Sequence, residues 1–448
     1  MTSTRPFPSR FLRWLVSAVV AVSVGCTGNT TNGQPEPEDP GPVLPDQILL
    51  SSSMRQEPVP GWTVTVLELG LPQSTVLRPI GNVGDRGVFL GITDEGWSLV
   101  GIDVTNGQRS FGPVRLGPSG EAADFNCYVN GPPMVLCVRQ GPDLNAPSTA
   151  WVVDTSAGAL TYDGPTELRV AGSPGQPRLQ QVGDYAIAAV MGEGVHGVGK
   201  RGELTWFVPG DGILPTQFSR PNSTIPPSTL AIQGSGEVAD VVFSVVDGRV
   251  VNPAAPQGVQ LGRAVVYPGG FGYEFAPAED PFEEHVAFFD DTGARLAELS
   301  VRGELDSGSV DIPMVSAKRT RELFTLDGRQ LLELPPSVPA TSARLIGSRF
   351  YLAADPENRI WQQFELNTGA PGKTCEGESL GAYYIASDGE VAVALGEGTP
   401  AQGVDLATCE ILWSIPGSAA HEAKEVWKVN TTLVQRTNDR LFSLVAPS

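Results

Sequence analysis

Residues 404–415 read VDLATCEILWSI, and the phrase recurs upstream as IDVTNGQRS at 102–110, FFDDTGARL at 288–296 and FELNTGAPG at 364–372. Each copy is an apolar run, an acidic residue, a short polar step, and then a further strand-like run. The upstream copies place Gly107, Gly293 and Gly369 at the turn, where the last copy has Cys409. Glycine at such a turn tolerates a positive φ that costs other residues about 1 kcal/mol or more. A thiol in that slot therefore needs a reason of its own.

Working outward from the phrase, runs of four to seven residues rich in Val, Ile, Leu, Phe and Tyr alternate with Gly, Asp, Asn and Pro from Trp62 onward. No long stretch has helical periodicity, so the pattern is that of antiparallel strands. One unit runs GVFLGI (87–92), TDEG, WSLVGID (97–103), VTNG and QRSFGPV. Equivalent turns fall near 107, 158, 202, 248, 293, 328, 369 and 409, on average about 43 residues apart. That is the length of a four-stranded propeller blade. The lone strand WTVTVLELG (62–70) and two strands within 431–446 would pair to close the ring and hide both edges. The expected fold is all-β, a single β-propeller of four-stranded antiparallel blades over 59–448. Eight blades fit best, with seven or nine open because RVVNPAAPQ, or the short step from 293 to 328, reads as less than a full blade. Two tandem sandwiches are the alternative, and they do not repeat one turn phrase eight times.

The combination of a strand, a D-x-x-T-G turn and a strand ending in Trp resembles the pyrroloquinoline-quinone-like (PQQ-like) β-propeller repeat. GVDLATCEILW is the nearest copy, and Trp206 and Trp413 stand where that repeat carries its packing tryptophan. Quinoprotein dehydrogenases of that fold carry vicinal cysteines at the cofactor. This chain has no Cys-Cys pair, so the resemblance implies a cofactor-less propeller, and no cofactor is expected. In architecture alone the chain also resembles the propeller lipoprotein of the outer-membrane β-barrel assembly machine.

The first 25 residues have a basic start (Arg5, Arg10, Arg13) and a short apolar stretch, Trp14 to Gly25. Twelve residues cannot span ~30 Å of hydrocarbon as a helix, so 1–25 reads as an export signal. Ser23-Val24-Gly25-Cys26 resembles a bacterial lipobox, with Ser23 in place of the usual leucine, which implies acylation of Cys26. An ordinary secretory signal with Cys26 incidental is the other reading. Residues 26–58 are mostly polar and proline-rich, as expected of a disordered tether. Thr27 is not the aspartate that marks inner-membrane retention, so the expected address is the outer membrane of a bacterial envelope, on its periplasmic or surface face.

Four cysteines remain, an even number in an exported chain, which reads as two disulfides. Cys127 and Cys137 flank a turn in FNCYVNGPPMVLCV, and a register centred on Pro132 sets them opposite each other. By elimination Cys375 pairs with Cys409. A regular strand would carry Cys375, six residues past Gly369, toward the other face. The pairing therefore needs APGKTC to be irregular, as Pro371-Gly372 permits, or Cys409 to lie outside the positive-φ position.

The formal net charge of −20 repels phosphate backbones and anionic headgroups, so nucleic acid is excluded and the membrane is met through the lipid alone. His196, His285 and His421 lie in different units, with no zinc spacing and no nucleophile elbow. They read as packing or loop residues, and no catalytic or metal-binding residue is assigned. The acidic stretch EFAPAEDPFEEH (274–285) brings Glu279, Asp280, Glu283, Glu284 and His285 together without the order of a calcium loop, and reads as a solvated loop. The leading expectation is a non-catalytic, monomeric, lipid-anchored propeller that binds an envelope protein or a surface polymer. The alternatives are a hydrolase or lyase, metal-dependent in one version, with its site in the central channel, and a sugar-binding propeller with exposed aromatic residues on one face.

Overall fold

The computed structural model describes residues 42–448, apart from 119–124, 144–145, 173, 216–222, 236–238, 297–300, 336–341 and 418–423. The described residues form nine antiparallel sheets and no helix. Eight sheets have four strands, in chain order over 76–117, 125–166, 178–209, 259–302, 304–334, 343–376, 384–414 and, for the closing sheet, 425–445 with 59–65. They are numbered below first to third and fifth to ninth. The fourth sheet has two strands, Leu230–Gly234 and Asp240–Ser244.

First strands of neighbouring sheets touch one another: Val76–Val83 meets Phe125–Val129 and Glu425–Val429, and Val259–Tyr267 meets Glu304–Leu305. The first strand of each sheet thus stands nearest the axis and the fourth lies outermost, which is the arrangement of a propeller. Second and third strands are apolar on both faces. Val88, Phe89, Leu90, Trp97, Leu99 and Val100 are all buried, because adjacent sheets cover both sides. Closure occurs as the sequence implies: Val59–Thr65 pairs with Arg440–Val445. The closing strand is shorter than WTVTVLELG, because Glu68 accepts from the Thr65 amide at 2.8 Å and folds the chain back there.

The recurring phrase is a capped turn. Asp103 Oδ1 accepts from the amide and hydroxyl of Thr105 at 2.9 and 2.6 Å, and Asp290 Oδ1 accepts likewise from Thr292. These bonds hold both carboxyls below the usual carboxylate range, with the threonine hydroxyl the largest cause. All eight anchor positions, seven glycines and Cys409, have φ between 62° and 88°. At two of them a second constraint acts. A Cβ on Gly107 would lie 2.7 Å from the Trp62 ring, and one on Gly248 would lie 2.6 Å from the Trp206 ring. An outer-strand aromatic of one sheet thus rests on the turn of the next.

The fourth sheet is the incomplete unit, and it includes RVVNPAAPQ. Val245 donates to Thr229 O just as Val104 donates to Asp85 O, which aligns 230–234 with second strands elsewhere. Residues 249–251 supply a rudimentary outer strand through the Phe243–Val250 bridge. Where a first strand would precede them, Pro226 and Pro227 have no amide hydrogen to give to a ladder. The step from 293 to 328, by contrast, belongs to complete four-stranded sheets.

Candidate functional site

Cys127 and Cys137 are register partners and are disulfide-bonded, with Cα atoms 4.0 Å apart. Cys375 bonds Cys409 across the seventh and eighth sheets, with Cα atoms 5.3 Å apart. Cys409 keeps its positive φ of 63°. The irregularity that the pairing needs is present: Phe364 pairs with Pro371 but Gln362 with Thr374, so one extra residue bulges at Gly372-Lys373. Cys26 lies outside the described residues.

The tether expectation needs correction at its end. Residues 42–58 fall within the expected 26–58 tether, yet they include a strap bound to the propeller. Gln47 exchanges two 2.8 Å hydrogen bonds with the backbone of Gly347. Ile48 donates to Thr224 O, Leu50 to Ser387 O and Ser51 to Thr431 O, at 2.6–2.9 Å. Gly347 and Thr431 lie in the turns between first and second strands of the seventh and ninth sheets, and Ser387 ends the first strand of the eighth. At its other end Asp46 faces a cavity shared with Pro226–Leu230 and Tyr267–Gly270, on the fourth and fifth sheets. The strap therefore lies across one mouth of the axis. Leu50 and Met54 are buried, and that apolar burial is the physical reason the segment docks.

The 223–225 segment reaches the same place. Thr224 is buried and donates to Leu345 O at 2.9 Å. Lys428 Nζ joins the two segments, donating to Ile48 O at 2.6 Å and Ser223 O at 3.2 Å. Burial, and then the charge of Arg344, pushes the Lys428 ammonium down to about 8. A cavity of about 300 Å³, lined in part by Gln181, Pro226, Tyr267 and Asp311, remains beside the irregular segment of the fourth sheet. Sequence reasoning missed Lys428 and the strap. The available signals were Val43-Leu44, Ile48-Leu49-Leu50 and Met54, apolar residues inside a largely polar leader.

The histidines do not converge. His196 stacks on Phe207 at 4.4 Å, and burial pushes its pKa down. His285 stacks on Phe275 at 5.7 Å, and His421 lies outside the described residues. In the acidic stretch Glu283 faces His285 at 3.8 Å and Arg302 at 3.6 Å. Glu274 takes Arg263 at 2.8 Å, and Arg263 also faces Glu304. The positive charge among these acids is thus the protein's own guanidinium. Among the described residues no group of three or more His, Cys, Asp or Glu is placed to hold a metal ion.

A groove of about 400 Å³ lies between the seventh and eighth sheets, beside the Cys375–Cys409 bond. Cys375, Glu376 and Gly377 of the seventh sheet's outer edge form one side, and residues 395–397 and 404–406, with Gln402, Cys409 and Ile411, of the eighth sheet form the other. Apart from the backbone, the disulfide makes the only covalent link between sheets among the described residues.

Nine sheets closed by pairing the two ends of the chain define a β-propeller. Residues 34–447 match the model of the conjugation-associated 9-bladed beta-propeller domain, and the chain belongs to that family. The nine blades of that description agree in number with the nine sheets here, of which the fourth is incomplete. An uncharacterized protein of Mycolicibacterium smegmatis (strain MKD8) is 38% identical over 436 residues, covering 90% of this chain and 88% of that protein. Among solved structures, BamB from Moraxella catarrhalis is similar with a TM-score of 0.43 and 9% identity, over 87% of this chain and 100% of that one. A computationally designed protein, Ika8, gives 0.35 and 13%, over 84% and 97%. Neither structural likeness bears on function.

Proposed function

We propose that this chain is a non-catalytic, extracytoplasmic scaffold of a conjugation apparatus, held at the cell envelope by an acylated Cys26. The observation that carries the reading is the family match over 34–447, whose description ties the domain to conjugation. The net charge of −20 directs the contact toward protein components and away from the transferred DNA. The axis, where a propeller enzyme would place its site, is crossed at one mouth by the strap and by residues 223–225, which favours a scaffold over a hydrolase or lyase.

The test is genetic and biochemical together. Deleting the chain from the cells that carry it should lower conjugal transfer, and re-expression should restore it. Crosslinking in the native envelope should capture a protein of the transfer apparatus. Transfer at the undiminished frequency, with the chain removed from donor and recipient in turn, would sink the proposal. Replacing Cys26 with serine should release the protein from the membrane fraction, and unchanged membrane association would refute the lipid anchor.

A further inference from the structure

We infer that the groove between the seventh and eighth sheets is a docking site for an extended, positively charged segment of a partner protein that carries aliphatic side chains. The inference rests on the scaffold reading and gives its contact surface a chemistry. Three large apolar side chains border the groove and stay open to solvent: Tyr383 is 47% exposed, Leu395 41% and Ile411 59%. Around them stand Glu376, Glu378 and Glu397, and the lining contains no lysine or arginine. The one other lining carboxylate, Asp405, already holds Arg55 at 3.2 Å. Among the described residues these three glutamates make no ion pair, and Lys373 nearby turns its ammonium to Thr408 O at 3.5 Å. Exposed apolar groups beside such carboxylates match a ligand that is apolar and cationic at once.

Other occupants fit less well. The chain's own leader, residues 26–41, carries Glu36, Glu38 and Asp39 and no basic residue, so the groove repels it. A second copy brings another −20, and nucleic acid is repelled by the same charge. The groove also has a firm wall. The Cys375–Cys409 bond fixes the two sheets relative to each other, so a bound segment meets a surface already in place, which lowers the ordering cost of binding.

The test uses the full-length protein in mild detergent and a fluorescent decapeptide of alternating leucine and lysine, with leucine–glutamate and glycine–lysine peptides as comparisons. The leucine–lysine peptide should bind saturably and more tightly than either comparison. Glu376→Lys with Glu397→Lys should weaken it about tenfold, equivalent to about 1.4 kcal/mol. Glu95→Lys with Glu167→Lys makes the same charge change at exposed positions on the first two sheets and should leave affinity within about twofold. Equal weakening in both variants would reduce the effect to net charge and overturn the inference, as would tighter binding of the glycine–lysine peptide. All four substituted positions are exposed, and an unchanged melting temperature checks each fold. The assay reads the groove alone, so its failure would leave the transfer and crosslinking results to decide the scaffold reading.

Discussion

The indole Nε1 of Trp413 donates to the backbone carbonyl of Met54 at 2.6 Å, across 359 residues of sequence. In the repeat, an outer-strand aromatic rests on the turn of the following sheet. The ninth sheet draws its outer strand from the N-terminus, so it has no such turn, and the strap takes that place. Met54→Ala should cost about 2–4 kcal/mol as a buried truncation. Trp413→Phe should cost about 1 kcal/mol, with the Met54 carbonyl left unpaired. Chemical denaturation of the two variants and their double mutant checks this, and full additivity would argue against the coupling.

Cys409 combines two opposed effects, a positive φ and a covalent link. Removing the link with Cys375→Ser and Cys409→Ser should cost about 3–4 kcal/mol, given the 34-residue separation. Cys375→Ser with Cys409→Gly should recover about 1 kcal/mol of that loss, because glycine relieves the turn. If the glycine variant melts no higher than the serine variant, the backbone account fails.

Lys428 gives a pH signature on the alkaline side. Its folded value of about 8 lies below the ordinary 10.5. Between the two the unfolded chain binds the extra proton, so stability rises with pH across that window. Relative to Lys428→Met, the wild type should gain on the order of 2–3 kcal/mol between pH 8 and 10.5, with no difference in slope below pH 8. Parallel curves for the two proteins across that window would contradict the burial of the ammonium.

The capped turns give the opposite limb. The carboxyls of Asp103, Asp154 and Asp290 are all held low, chiefly by the hydroxyl of Thr105, Ser156 and Thr292 respectively. Their contribution is complete above the unfolded value near 3.9 and is lost as pH falls through the lower folded values. Asp103→Asn with Asp154→Asn should flatten the acid limb of stability below about pH 4, read by thermal melts from pH 6 to 2. An unchanged acid limb would remove these carboxyls from the account.

The turn phrase made the blades legible, because Asp103, Thr105 and Gly107 encode a local turn that needs no distant partner. The two cysteine pairs were legible for a similar reason, since register and count constrain them. The strap was not, because Leu50 and Met54 find their burial against residues such as Ile385 and Leu433, more than 300 positions away. The groove was hidden for another reason: its border joins Glu376 of one sheet to Leu395 and Ile411 of the next, residues that no turn phrase sets side by side. The incomplete fourth sheet was half-visible. RVVNPAAPQ looked weak, but the missing inner strand traces to Pro226-Pro227, one unit-edge earlier.

Closure through Val59–Thr65 and Arg440–Val445 sets the order in which the molecule can be completed. The amide of Trp62 meets the Ser443 hydroxyl at 3.1 Å, 381 residues along the chain. While the chain is being made, its opening strand waits unpaired, and every earlier stage is an open arc with two bare sheet edges. A stop codon or frameshift ahead of Arg440 would leave the same arc permanently. Residues 440–445 thus act as the latch of the whole ring, and damage there should look like a folding defect of the entire protein.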